Sequence, residues 1–157
     1  MGPFEWLENT SVALWVGESL WAYPFMLSLH GIGLAILVGV FVMLDLRLLG
    51  SFKEIRVDSF LPVLKLAWVG FVVNAISGAF LFTSQASYFI TSTPFLLKIA
   101  MIFVGAILAA IIQSRLRNAR DATSGEWMID GSTKIVAALS LAMWMGAIVT
   151  GRLVAYF

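Results

Sequence analysis

The chain has 157 residues, of which 61% are hydrophobic and only 12% charged, with a formal net charge of +1 and a mean hydropathy of +0.95. A soluble domain of this size needs far more polar surface, so the composition predicts an integral membrane protein; no basic stripe offers a surface for nucleic acid. Cysteine is absent, which excludes disulfides, thiolate metal sites, iron–sulfur clusters and covalently attached haem.

The opening residues, MGPFEWLENT, carry two acids and no base, the opposite of the positive leader of a secretory signal peptide, and none is expected. Thr10 or Ser11 would cap a short helix reaching Tyr23, where Pro24 follows. That segment is too short to cross a bilayer. Trp15, Glu18 and Trp21 recur every three residues, a step that drifts only about 60° around a helix, so the three share one broad side. Tryptophans on a short amphipathic segment predict an interfacial helix lying along the membrane. Glu18 on it either faces water and headgroups or turns toward the protein.

Four apolar stretches follow. They predict spans at about 24–46, 60–83, 94–113 and 134–157, each near the roughly 20 residues that a ~30 Å hydrocarbon core demands. In the first, Gly31, Ala35 and Gly39 repeat every four residues and predict a face on which another helix packs closely; Asp45 and Arg47 end the span. In the second, Gly70, Asn74, Ser77 and Gly78 share one face, expected to point inward, with Asn74 hydrogen-bonding another helix or a cofactor. In the third, Lys98, Met101, Gly105 and Ala109 lie approximately along one face. The fourth carries Ser140, Trp144, Met145 and Arg152. The fold class is therefore all-α: a four-helix membrane bundle with an N-terminal interfacial amphipathic helix, forming a single membrane domain over residues 1–157.

Arg47, Lys53 and Arg56 fall in the first connection, and Arg115, Arg117, Arg120, Asp121, Glu126 and Asp130 in the third. The N-terminal segment and the second connection contain no Lys or Arg. By the positive-inside rule both charged connections are cytoplasmic and both termini are outside. Depth then follows from the alternation of spans. His30, the single histidine of the chain, lies six residues past Pro24, or roughly 9 Å of helix. Lys98 near the start of the third span, Arg152 near the end of the fourth and Glu18 of the outer interfacial segment are then expected in one layer with it; Lys65 is the exception, on the inner side.

An imidazole in an apolar span is costly, and is a functional hypothesis by default. In one reading His30 ligates the iron of a haem b, Gly33 lets the flat macrocycle approach, Asn74 contacts it, and Lys98 and Arg152 pair with its propionates. Met26, Met101, Met143 and Met145 are candidates for a second axial ligand, or a neighbouring subunit contributes one, or the iron is five-coordinate. In another, His30, Glu18 and Met26 hold copper as a mixed soft and hard set. In a third nothing binds: His30 bonds a backbone carbonyl and the cations snorkel to headgroups.

The string E-S-x-W-x-Y-P at residues 18–24, H-x-x-G at residues 30–33 and D-L-R-L-L-G at residues 45–50 resembles an uncharacterised family of small bacterial four-span membrane proteins. The resemblance is densest over residues 1–50 and implies the fold and a location in the bacterial inner membrane, without an activity. The shorter H-x-x-G early in a first span is similar to membrane cytochrome b and copper-handling membrane domains. Three functions are then weighed: a redox protein passing electrons between haem and a periplasmic partner or quinone; a small transporter or channel subunit with Glu18, His30, Asn74 and Lys98 along a polar path; and a structural subunit of a homo-oligomer. A lone histidine without cysteine excludes most hydrolase triads, and no phosphate-cradling loop is present.

Overall fold

A computed structural model describes residues 2–122, 129–154 and 156. Every regular element among them is helical. Two short helices, α1 (Pro3–Glu8) and α2 (Ser11–Glu18), precede the long α3 (Ala22–Leu48). A 3₁₀ turn (Val57–Ser59) leads into α4 (Phe60–Thr83); the short α5 (Ala86–Thr91), then α6 (Thr93–Ala122) and α7 (Gly131–Leu153), complete the chain. Helices α3, α4, α6 and α7 are long and apolar enough to cross a membrane. At 1.5 Å per residue the 27 residues of α3 reach about 40 Å, more than the ~30 Å hydrocarbon core. Their outward faces carry exposed Ile32, Val69, Phe103 and Ile135, large apolar side chains that suit contact with lipid rather than water.

Antiparallel neighbours pair off: α3 packs along α4 and α6 along α7, and the two hairpins meet mainly through α3 against α7. Ala22, Gly33, Leu37, Val38, Phe41, Leu44, Asp45 and Leu48 are the buried positions down α3. Against them come Leu64 and Ala67 of α4, Ala109 and Ile112 of α6, and Ala137 and Trp144 of α7. Phe41 stacks on Trp144 with ring centroids 5.4 Å apart, and Trp68 meets Phe41 edge-on at 5.8 Å. Trp68 Nε1 donates to Gln113 Oε1 at 2.6 Å, joining α4 to α6 near the core. As the patterning predicts, Gly70, Asn74 and Ser77 on α4, and Gly105 and Ala109 on α6, point inward.

Several expectations are corrected. The N-terminal segment is two helices, not one. Thr10 does cap α2, its hydroxyl accepting from the Ala13 N–H at 3.3 Å, but α2 stops at Glu18 because Ser19 is extended; its hydroxyl then accepts from the N–H groups of Trp21 and Ala22. Trp21 thus stands before α3 and does not share a helix with Trp15 and Glu18. Helix α6 continues nine residues beyond 113, so Arg115 and Arg117 stand on the helix itself. Glu126 and the side chains of Arg120 and Asp121 lie outside the described residues. Gly31, Ala35 and Gly39 do not form the pairing face of α3: a side chain added at Gly31 or Gly39 would meet nothing within 4 Å. The close approach is made by Gly33.

At the end bearing the charged connections, α3 closes on Gly50, whose φ of +107° suits glycine. The Gly50 N–H donates to the Arg47 carbonyl and the Ser51 N–H to the Leu46 carbonyl, a Schellman closure that satisfies the last carbonyls of the helix. Asp130 caps α7, accepting from the Thr133 N–H at 3.0 Å and the Ser132 hydroxyl at 2.6 Å. Arg115 reaches from α6 to both hydroxyls. The bonds from Ser132 and Thr133 hold the Asp130 carboxyl at about 2, well below the usual carboxylate range.

Candidate functional site

The crossing of α3 and α4 positions the histidine. A Cβ at Gly33 would lie 2.8 Å from the Asn74 nitrogen and 2.9 Å from the Gly70 oxygen, both backbone atoms. Only a helix without side chains at Gly33 and Gly70 lets the two backbones come this near. Their closeness permits a reciprocal pair of bonds. His30 Nδ1 lies 2.9 Å from the Asn74 carbonyl oxygen, and Asn74 Nδ2 donates to the His30 carbonyl at 2.8 Å. A carbonyl oxygen only accepts, so the proton of the neutral ring sits on Nδ1 and the lone pair on Nε2. Ser77 Oγ, itself bonded to the Val73 carbonyl, lies 3.3 Å from the same Nδ1. Gly78 completes the seat: a Cβ there would approach His30 Cε1 to 3.0 Å. Among the described residues Nε2 takes no hydrogen bond.

That ring lines a cavity of about 690 Å³. It lies between the two hairpins on the side where α4 and α6 scarcely touch, at the end occupied by α1, α2 and α5. Helix α3 contributes Tyr23, Leu27 and His30; α4 contributes Phe71, Asn74, Gly78 and Phe82; α6 contributes Phe95, Lys98 and Ile102. Tyr88 and Phe89 of α5 and Gly151 of α7 close the rim. Phe82, Phe89 and Phe95 stack on one another at centroid distances of 5.0–6.2 Å and form an aromatic wall. The Tyr88 hydroxyl donates to the Val154 carbonyl at 3.1 Å, tying α5 to the end of α7. The stem of Lys98 runs over Gly151, with Cε 3.3 Å from where a Cβ would stand. Among the described residues Lys98 and His30 are the ionisable nitrogen groups of the lining, and no carboxylate belongs to it. The chemistry on offer is an imidazole lone pair, one ammonium, and a large apolar and aromatic surface.

His30, Asn74 and Lys98 are therefore brought together. Gly78 lines the cavity beside them, whereas Gly33, Arg152, Glu18 and Met26 do not. The space beside Gly33 is filled by the backbone of α4, so it serves helix pairing and leaves no room for a macrocycle. Arg152 is exposed, and its neighbour Gly151 holds the place on the cavity side of α7; one residue of helix turns a side chain by about 100°. Glu18 is exposed at the end of α2, and neither it nor Met26 lines the cavity with His30. Met101 packs its sulfur over Gly146, Met143 lies by Gly105, and Met145 is exposed. Among the described residues no group of three or more His, Cys, Asp or Glu side chains is placed to hold a metal ion. The sequence reading missed Gln85, Tyr23 and Tyr88, polar residues of the lining; their position just before or after apolar runs was the available signal.

Comparison with protein-family models, curated proteins and solved structures finds no match for this chain. The four long apolar helices agree with the small four-span architecture that the motifs of residues 18–50 imply, while the family those motifs resemble is not matched.

Proposed function

We propose that this chain is a multi-pass protein of a bacterial inner membrane that binds haem b in the outer half of the bilayer and passes electrons between that cofactor and a periplasmic partner or quinone. The observation that carries the reading is the seat of His30: Nδ1 is committed to the Asn74 carbonyl, and the lone pair of Nε2 is left for a ligand in the cavity. Anchoring one ring nitrogen on a carbonyl fixes the tautomer and orients the other toward a metal centre. The cavity of about 690 Å³ falls within the roughly 300–1,000 Å³ of small-molecule sites. Its aromatic wall suits a flat apolar ring system, and Lys98 suits an anionic edge.

The residues of this chain fit such a group in stated roles. His30 would supply one nitrogen ligand, Lys98 would pair with a propionate, and Phe82, Phe89 and Phe95 would exclude water. Asn74 holds the backbone of His30 and accepts from its ring, so it is a positioning residue. When bound, haem supplies one-electron chemistry. Among the described residues no methionine belongs to the lining, and His30 is the ligand they offer from it. The basic residues of the first and third connections support a cytoplasmic location for those segments, with both termini periplasmic. The outward-facing Gly31, Ala35 and Gly39 support association of copies. Copper finds less support, because Glu18 and Met26 are not gathered around His30.

The test is an optical titration of the detergent-purified protein with haem. Stoichiometric binding with a Soret band, lost in His30→Ala and weakened several-fold in Lys98→Met, is expected. A protein that neither carries nor takes up haem would overturn the proposal.

A further inference from the structure

The second polar feature of the interior lies away from the cavity, on the face of α3 that meets α7. Asp45 is 0% exposed, and neither of its carboxyl oxygens has a hydrogen-bond partner. Phe41 of α3 stacks on Trp144 of α7, and one turn further along each helix Asp45 and Ser140 come to the same level of the seam; Ser140 is likewise 0% exposed, and its hydroxyl likewise has no hydrogen-bond partner. The stacked pair seals the seam on the cavity side. Leu44 and Leu48 flank the carboxyl along α3. Buried polar groups are nearly always paired, and each exception calls for a specific account.

No countercharge supplies one. Arg47 is bonded to the carbonyls of Ile55 and Lys53, and Arg115 to the hydroxyls of Ser132 and Thr133. Arg56 pairs with Asp58 at 2.7 Å. Lys53, Glu54, Lys65, Arg117, Asp130 and Lys134 are exposed. The one ion pair among the described residues is that of Arg56 and Asp58, so Asp45 has no cation within ion-pair distance among them. A lone ionised carboxylate taken wholly out of water is among the costliest groups a protein can bury, and such a group neutralises by taking up a proton. As an acid it becomes a donor, and a hydroxyl opposite becomes its acceptor.

We propose that Asp45 and Ser140 form a proton-binding site in the α3–α7 seam, in which the Asp45 carboxyl is held as the neutral acid and donates its hydrogen to Ser140 Oγ. The carboxylate gains one proton on binding and returns it on release. Asp45 lies three residues from the end of α3, roughly 5 Å of helix, so the proton exchanges with the side bearing the charged connection. Release leaves an unpaired anion between two packed helices, and the seam must then open or admit water. Proton occupancy is thereby coupled to the docking of α7 on α3. Nothing in this coupling depends on what the cavity binds.

Infrared spectroscopy of the purified full-length protein at neutral pH tests the site. The expected spectrum contains a carbonyl stretch of a protonated carboxylic acid, shifted on exchange into deuterium oxide and lost in Asp45→Asn. In Ser140→Ala the same band is kept but moves to higher frequency, since the acid loses its acceptor. Should Asp45→Asn fail to fold, the Ser140→Ala shift decides alone. Absence of the band at neutral pH, its survival in Asp45→Asn, or its indifference to Ser140→Ala would each overturn the proposal. Absence of the band together with a melting temperature raised by sodium chloride but not by choline chloride would replace it with a cation site.

Discussion

Replacing Gly33 by alanine puts one methyl group where α3 and α4 cross. The added carbon would stand 2.8 Å from the Asn74 nitrogen, 2.9 Å from the Gly70 oxygen and 3.2 Å from Asn74 Cα. All three belong to backbone, so no side chain can swing aside. Reaching the 3.4 Å of ordinary contact requires the two helices to part by roughly 0.6 Å, the difference between those distances. Overpacking a close contact costs about 1–3 kcal/mol. The same movement stretches the two bonds between His30 and Asn74, which start at 2.8 and 2.9 Å and are worth on the order of 0.6 kcal/mol each between membrane helices. Together Gly33→Ala is expected to destabilise the fold by about 2–4 kcal/mol. The assay is reversible denaturation of the detergent-solubilised protein followed by circular dichroism and tryptophan fluorescence. Gly31→Ala and Gly39→Ala are controls in the same helix: nothing lies within 4 Å of either added carbon, so each is expected to stay within about 0.5 kcal/mol of the parent. If Gly33→Ala were as stable as these two, the crossing would not be where the structure puts it, and the seat of His30 would lose its basis.

Three further outcomes follow from the same geometry. Asn74→Ala removes the amide that bonds the His30 carbonyl but keeps the backbone oxygen that accepts from the ring; stability should fall by about 0.5–1.5 kcal/mol while haem uptake persists, checked by denaturation and optical titration. Gly78→Leu drives a side chain into His30 Cε1 and Nδ1, now 3.0 and 3.2 Å from the Cβ position, so uptake should fall at least ten-fold with helicity unchanged. Asp130 has its carboxyl held at about 2 in the folded chain, below the ~3.9 of an unperturbed aspartate. Its contribution is present above the unfolded value and is lost as pH falls through the folded one. Between about pH 5 and pH 2 the melting temperature of Asp130→Asn should therefore fall less steeply than that of the parent, because asparagine caps the helix without titrating.

The four apolar runs, the absence of cysteine and the single histidine were readable residue by residue, because hydropathy and composition depend on no partner. Periodicity also identified which residues share a side of α4 and α6: Gly70, Asn74 and Ser77 on one, Lys98, Gly105 and Ala109 on the other. Periodicity does not say which of two small-residue faces meets a neighbour. Gly31, Ala35 and Gly39 form the more regular repeat on α3, yet Gly33 makes the crossing, because the face chosen is the one that packs Leu37, Phe41 and Leu44 into the core as well. The alternation of spans sets a level for Lys98 and Arg152 but ignores rotation about the helix axis, and Gly151 rather than Arg152 faces the cavity. Asp45 shows the same division most clearly. As a charge next to Arg47 it marked a helix end, and only the docking of α7, bringing Ser140 and Trp144 across α3, encloses it. Chemical identity and length are local properties written into the chain, whereas which atoms are shielded, paired or left facing a cavity is settled when helices distant in sequence choose their mutual rotation.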